Sequence, residues 1–381
     1  SVRSWSQLLR PLEWALLAFL FFVLVRAGPQ VFTQLSLLGG RAATVCFTLG
    51  LVAAMQLFWR FLQLPWASDA PRGLVWLTLP LALLPWLFSF GVMLMSPLVR
   101  EELPNAAPAT AISAFASMVL TTVGIGLPTL FAWLLFASLT RKHGAVRWPY
   151  VRAALRISAS TVRDWLPLLI IISGYEWMRP VVDAGFTGDF DAVMARVDRA
   201  LFLGNDPIEL LQHVIWTPLS ELLAFVYSFY AVLYPLVLGT VFVTGGRRAL
   251  RLTAFQVGLA LLIAYVGYAL VPVKGPVLTR TFDVPLDLYV IGPIKEAMMD
   301  ATRISYDCFP SMHTCCTLLL GWSAWTWSRR LFWLIAPFVV LMPLACVYLR
   351  YHYVIDLFAG AVVAVFVVWL SRRLEAHIDV A

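Results

Sequence analysis

Residues 308–327 read CFPSMHTCCTLLLGWSAWTW. Ser311, His313 and Thr314 form a polar knot at the mouth of a stretch that is otherwise apolar and near the length of a membrane span. Residues 350–356, RYHYVID, repeat the arrangement, with His352 and Asp356 opening the apolar run 352–371. Two of the five histidines therefore stand where an apolar helix begins. That placement decides the fold, because a helix needs about 20 apolar residues to cross the hydrocarbon layer.

The rest of the 381-residue chain has the same character, with 61% hydrophobic and 13% charged residues. Soluble domains run near 45–50% apolar and about 25% charged. The excess is too large for a single buried core, and lipid is the natural solvent for it. Sixteen Trp and twelve Tyr suit the aromatic belts of membrane interfaces. The five cysteines (46, 308, 315, 316 and 346) form no CxxC pair and no zinc spacing, so they read as small apolar residues. The net charge of +7 is scattered between apolar runs, which is a topology signal and not a nucleic-acid footprint.

Ten candidate spans lie near 11–27, 42–65, 74–98, 116–139, 165–182, 218–243, 252–272, 309–327, 331–349 and 352–371. The segment 14–25, after Arg3 and Arg10, reads as a retained first span and not a cleaved signal. In the span at 165–182, Glu176 and Arg179 interrupt the second half. Residues 148–164 set arginines against Ala, Leu and Val, the pattern of an interfacial amphipathic helix. Residues 183–212 are more polar, with a Gly-Asn-Asp-Pro turn, and predict short amphipathic helices on the outer surface.

With ten spans and a cytoplasmic N-terminus, more than half of the 28 lysines and arginines fall on the cytoplasmic side. The pairs Arg247–Arg248, Arg329–Arg330 and Arg372–Arg373 each abut a span end, the strongest form of the positive-inside signal. Both termini are then cytoplasmic, and the loops at 273–308 and 350–351 face the other way. Lys274, Arg280, Lys295, Arg303 and Arg350 break the charge rule in those two loops, beside the histidines.

His352 and Asp356 are four apart, within contact on one helical face. A carboxylate on one ring nitrogen fixes the tautomer and raises the basicity of the other. Such a pair can also merely tie down a helix end. Pro310 and Ser311 mark a helix start, whose unpaired N–H groups favour anions, with His313 in the first turn. Lys274, Arg280 and Arg350 add cations, although each is also placed where a snorkelling side chain would be. Together the groups suit a phosphate: histidine as nucleophile splits the transfer into two easier steps, and cations meet the charge that develops. No carboxylate cluster suited to a metal stands among them, so the chemistry is expected to need neither metal nor cofactor.

These stretches resemble the motifs of the type 2 phosphatidic acid phosphatase superfamily: a basic KxxxxxxRP, a PSGH and an SRxxxxxHxxxD. The resemblance is strongest to the inositol phosphorylceramide synthase-like branch, in which FPSxH and HYxxD stand here as FPSMH (309–313) and HYVID (352–356). It covers roughly residues 166–381. It departs in three places: five residues separate Lys274 from Arg280 with Thr281 for the proline, Ala345 and Cys346 stand for Ser-Arg, and Met312 stands for glycine.

The resemblance implies that His352 attacks phosphorus, Asp356 orients it, and His313 protonates the leaving oxygen and then activates the acceptor. It implies that Lys274, Arg280, Ser311 and Arg350 hold the phosphate oxygens. The expected architecture is all-α and integral to the membrane: residues 1–165 as accessory spans plus a cytoplasmic amphipathic segment, and 166–381 as a six-helix catalytic bundle. The expected function is a multi-pass lipid phosphotransferase moving a phosphate-containing head group from a phospholipid to an alcohol or sphingolipid acceptor. Its site faces the periplasm or cell exterior, or a lumen in a eukaryote. A lipid phosphate phosphatase with the same residues is the alternative, and a transporter or an inactive lipid-binding protein is the reading from another class.

Overall fold

The computed structural model describes residues 10–27, 148–175, 178–183, 190–291 and 306–378, with the single positions 49, 52, 53, 56, 59 and 60. Among the described residues the chain is helical and contains no strand. It divides into two compact units, one of residues 1–34 with 171–381 and the other of residues 35–170. The expected spans at 74–98 and 116–139, and most of 42–65, lie outside the described residues.

In the larger unit, α1 (Pro11–Ala27) buries Leu12, Leu16, Phe19 and Val23, the three-and-four spacing of one helical face. That stripe meets α6 (Thr217–Leu270): Phe19 lies 5.6 Å from Tyr265, and a side chain at Gly258 would strike Leu12. In the smaller unit, Arg60 donates to Ser160 Oγ at 2.9 Å and Thr161 Oγ1 at 2.7 Å, and Trp165 donates to Gln56.

Two boundaries differ from the sequence reading. The amphipathic segment at 148–164 and the span at 165–182 are not separate: α2 runs unbroken over Trp148–Ser173, with Pro167 inside it, and stops at a turn at Gly174–Tyr175 before α3 (Met178–Asp183). A proline removes one helical hydrogen bond and bends a helix without always ending it. The two spans at 218–243 and 252–272 are the arms of α6, broken at Gly246, whose φ of 68° belongs to the left-handed region that glycine enters at little cost.

Contacts with α8 (Met312–Trp327) set the direction of each arm. At the start of α8, His313 stacks on Tyr227 of the first arm, and Pro310 fills the space beside Gly267 of the second. At its end, Trp327 packs on Gly245, and Ser323 donates to Gln256 at 3.4 Å. The first arm therefore runs with α8 and the second returns along it. Ser328 ends α8 and caps α9 (Arg329–Tyr348), accepting from Leu331 N at 3.4 Å, so the chain reverses on a single residue. α10 (Val354–Arg373) then runs beside α8, with Gly360 against the backbone of Ser311 and Ser371 bonded to Gln256 at 2.8 Å.

α6, α9 and α10 are long and apolar enough to cross a membrane, by length and composition. The 20 residues of α10 measure about 30 Å, the thickness of the hydrocarbon layer. Val340, Val362 and Val365 are 73%, 68% and 70% exposed, an outward apolar surface that water would penalise and lipid would cover. α8, at 16 residues, is shorter and mostly buried by its neighbours. All three arginine pairs lie at one end of this bundle: Arg248 bonds Glu375 of α11 (Glu375–Ile378) at 2.7 Å, and Arg329–Arg330 and Arg372–Arg373 lie at the same ends of α9 and α10. The histidines lie at the other.

Candidate active site

Four pieces of chain meet at the histidine end. Arg350 takes a left-handed backbone (φ 66°), and the chain curls so that the N–H groups of Tyr351 and His352 both donate to Cys346 O, at 3.0 and 3.1 Å. This turn sets His352 directly ahead of α10. Tyr353 N donates to Asp356 Oδ2 at 2.9 Å, one half of a capping box. His352 Nδ1 then lies 3.5 Å from the same oxygen, with the side chains only 4% and 0% exposed. Among the described residues, neither Nδ1 nor Asp356 Oδ1 has a hydrogen-bond partner. Such an unsatisfied buried pair is costly, and its separation is long for a hydrogen bond. Contacts of this kind tighten when substrate arrives. With Nδ1 turned to Asp356, Nε2 is the nitrogen left to react.

His313, in the first turn of α8, is held by aromatic rings. Tyr227 stacks on it at 4.3 Å and Tyr230 leans on it at 4.5 Å, while Tyr230 Oη donates to Met312 O at 3.2 Å. Tyr227 stacks in turn on Tyr351, next to His352. The imidazoles of His313 and His352 meet edge to face, with centroids 5.8 Å apart. One phosphoryl group can touch both rings.

Ser311 serves this junction through local bonds. Its Oγ accepts from Thr314 N at 3.4 Å and lies 3.3 Å from Thr314 Oγ1, while its N–H donates to Asp356 O at 3.0 Å. It therefore ties the start of α8 to the start of α10, and the hydroxyl that the resemblance assigned to phosphate serves as the cap of α8.

The three cations separate. Arg350 is 6% exposed; it donates to Val284 O, lies 4.1 Å over the Phe282 ring, and among the described residues has no carboxylate in ion-pair range. Burial pulls its ionisation downward, yet a guanidinium stays charged. Lys274 reaches 5.2 Å from the Tyr306 ring, also with no ion pair among the described residues. Arg280 is committed elsewhere: Nη1 donates to Asp206 Oδ2 at 2.7 Å. Burial alone would lower its pKa, and the carboxylate outweighs burial and raises it. Lys274 and Arg350 thus keep charge to offer an anion, whereas Arg280 ties its segment to α5 (Pro207–Gln212), which Asp206 caps.

The basic segment is wedged close to His352. Val277, in the short α7 (Pro276–Thr279), donates its N–H to Arg350 O at 2.8 Å. Gly275 has φ 91°, and a side chain there would come within 2.5 Å of both Cys308 Sγ and Tyr351 O. Only glycine fits both the angle and the space.

The short amphipathic helices expected over 183–212 include α4 (Asp191–Leu201), but sequence reasoning missed what its two buried aspartates hold. Asp191 accepts from Lys274 N and Gly275 N at 2.9 and 2.8 Å and from Tyr353 Oη at 3.1 Å. Asp198 accepts from Val354 N and Ile355 N at 2.8 and 2.9 Å. Burial pushes Asp198 upward in pKa, and the two amide bonds offset only part of it. The spacing of seven within an amphipathic segment was the available signal.

Residues 192–370 match the family model of the PAP2 superfamily. The match spans just under half of the chain, from α4 through nearly all of α10, and takes in every residue named above except Asp191. It supports that superfamily, and with the apolar helices it supports a membrane protein of the lipid phosphatase or phosphotransferase type. No curated protein and no solved structure matches the chain.

One further donor set lies inside the PAP2-matching region. Cys308, His352 and Asp356 each bring one ligand atom within 4.8 Å of the others. Sulfur, nitrogen and oxygen together suit a zinc-like ion. Such an ion would occupy the His352–Asp356 pair itself.

Proposed function

We propose that the protein is an integral membrane lipid phosphotransferase that works through a phosphohistidine on His352. The observation that carries this reading is the edge-on meeting of His313 and His352 at 5.8 Å, with Asp356 behind His352 Nδ1. His352 Nε2 attacks phosphorus, and the bond from phosphorus to the leaving oxygen breaks. His313, as imidazolium, gives that oxygen its proton. Neutral His313 next takes the proton of an acceptor hydroxyl, whose oxygen attacks phosphorus, and the P–N bond breaks. Asp356 orients His352 and balances the imidazolium charge. Lys274 and Arg350 meet the phosphate oxygens. Arg280 and Ser311 act one step back, Arg280 through Asp206 and Ser311 through the start of α8.

The donor is a phospholipid and the acceptor an alcohol or sphingolipid, as in the inositol phosphorylceramide synthase-like branch. If water takes the acceptor's place, the same residues make a lipid phosphate phosphatase. The site opens on the non-cytoplasmic side, a reading supported by the arginine pairs gathered at the opposite end of the bundle. Residues 1–165 are an accessory region to a catalytic core over 166–381. A transporter is disfavoured because the ionisable groups cluster at one end of the helices and not along a mid-membrane path.

Incubating the purified full chain with phosphatidate or phosphatidylinositol vesicles and candidate alcohols tests this reading. A phosphorylated acceptor supports transfer. Inorganic phosphate from phosphatidate, or inositol phosphate from phosphatidylinositol, as the sole phosphorus product selects hydrolysis by water. Turnover that survives His352→Ala removes the mechanism.

A further inference from the structure

The geometry assigns Asp191 and Asp198 of α4 a joint role as positioning residues: one surface helix clamps both the Lys274 turn and the start of α10 against the histidines. The inference rests on the function proposed above. Asp191 and Asp198 are seven residues apart, two helical turns, and so share one face. They are 5% and 1% exposed. Between them they accept four backbone N–H groups: Lys274 and Gly275 at one site, Val354 and Ile355 at the other. Those sites are some 80 residues apart in sequence, and α4 bridges them in addition to the direct backbone bond from Val277 N to Arg350 O.

The need for such a clamp is visible at α10. Helix starts carry orphan N–H groups, which a Ser, Thr, Asp or Asn at the cap position ordinarily satisfies. Here the cap position is Tyr353, whose hydroxyl is too far along its ring to serve and instead donates to Asp191. The capping duty passes to Asp198, 156 residues earlier in the chain. His352 immediately precedes this start, and Asp356 lies in its first turn. The 3.5 Å approach of His352 Nδ1 to Asp356 therefore depends on a first turn that Asp198 keeps from fraying. At the other site, Asp191 fixes the backbone of Lys274, whose ammonium the proposed chemistry uses.

An ordinary remote cap would stabilise the fold and leave the chemistry of each folded molecule alone. A positioning residue alters kcat at constant KM, because the reacting groups are misplaced while the lipid still binds. A misplacement near 1 Å costs about 10²-fold in rate. The experiment compares wild type, Asp198→Ala, Asp198→Asn and Asp191→Asn as full chains in phosphatidate or phosphatidylinositol vesicles. It reads kcat and KM per folded molecule and amide hydrogen exchange over residues 347–357 and 271–280.

The expected result is a kcat loss of about 10²-fold for Asp198→Ala with KM held. Asp198→Asn, which keeps one acceptor oxygen, recovers part of it, and amide exchange rises at 353–356. Asp191→Asn raises exchange at 274–275. Wild-type kcat in Asp198→Ala, with or without a lowered melting temperature, overturns the inference. Should Asp198→Ala fail to fold, Asp198→Asn decides: lowered kcat at unchanged KM supports the clamp and wild-type kcat refutes it. Should wild type turn over neither lipid, the functional reading fails by itself. Exchange then judges the clamp, and unchanged rates at 353–356 in Asp198→Ala overturn it.

Discussion

The two ends of the bundle treat buried polar groups in opposite ways. At the arginine end, Gln256 is closed on both sides: its amide donates to Ser371 Oγ at 2.8 Å and its carbonyl accepts from Ser323 at 3.4 Å. Ser371 passes its own proton to Val368 O at 2.9 Å. At the histidine end, the deepest pair is left open, with His352 Nδ1 and Asp356 Oδ1 unpartnered. Thr253 Oγ1, one turn from Gln256, is also unpartnered, but leaving a buried ionisable pair short of partners costs more than leaving a hydroxyl, so the histidine end carries the larger unmet polar demand. The same contrast holds for charge. Arg248 and Glu375 neutralise one another at one end, while at the other no carboxylate among the described residues lies in ion-pair range of Arg350 or Lys274.

The sharpest way to break this comparison is to delete the open pair. His352→Ala is expected to remove turnover, a loss on the order of 10⁴-fold or more for a nucleophile, while the protein still folds and inserts. Full activity in that variant would reduce the open pair to a structural oddity. Asp356→Asn comes next. The side chain still fills its space and still accepts from Tyr353, but it no longer fixes the reactive tautomer of His352. A loss of roughly 10³–10⁴-fold in kcat is expected, measured beside wild type in the same vesicles.

Zinc offers a smaller and separable effect. Added to the purified protein, it should inhibit by joining Cys308, His352 and Asp356. Cys308→Ala should raise the inhibitory concentration by about tenfold or more while leaving the zinc-free rate near wild type. Equal zinc sensitivity in both proteins would show that the three atoms do not act as one ligand set. The test also separates Cys308 from Cys315 and Cys316, which are buried in α8.

How much of this was legible beforehand depends on the range of the interaction. The His352–Asp356 pair was readable because its partners are four residues apart, and Ser311 was readable as a cap because capping is local. The arms of α6 were found as two apolar runs, although the glycine hinge between them was not. The resemblance assigned Arg280 to phosphate, and the sequence could not show that its guanidinium bonds Asp206, 74 residues away. Asp191 and Asp198 escaped for the same reason: their partners are backbone N–H groups, which leave no mark in side-chain identity. Met312, Ala345 and Cys346, the departures from the usual motifs, are all buried and pack where helices meet. Cys346 lies against the hydroxyls of Ser311 and Thr314, and its carbonyl anchors the turn that carries His352.

The smallest expected effect tests the closed end. Ser323 and His313 are ten residues apart on α8, about 15 Å along its axis, so Gln256 lies well away from the histidines. Gln256→Leu keeps the volume and removes the hydrogen bonds. Ser371 retains its bond to Val368, while the buried Ser323 hydroxyl gives up its bond to Gln256. Interhelical hydrogen bonds inside membranes are worth about 0.6 kcal/mol on average, and the variant should lose about that much against denaturant while keeping kcat and KM. A large fall in kcat without a matching fall in stability would mean that the two ends communicate along α8 and α10. The contrast drawn between them would then describe one coupled network, with the closed end setting the geometry of the open one.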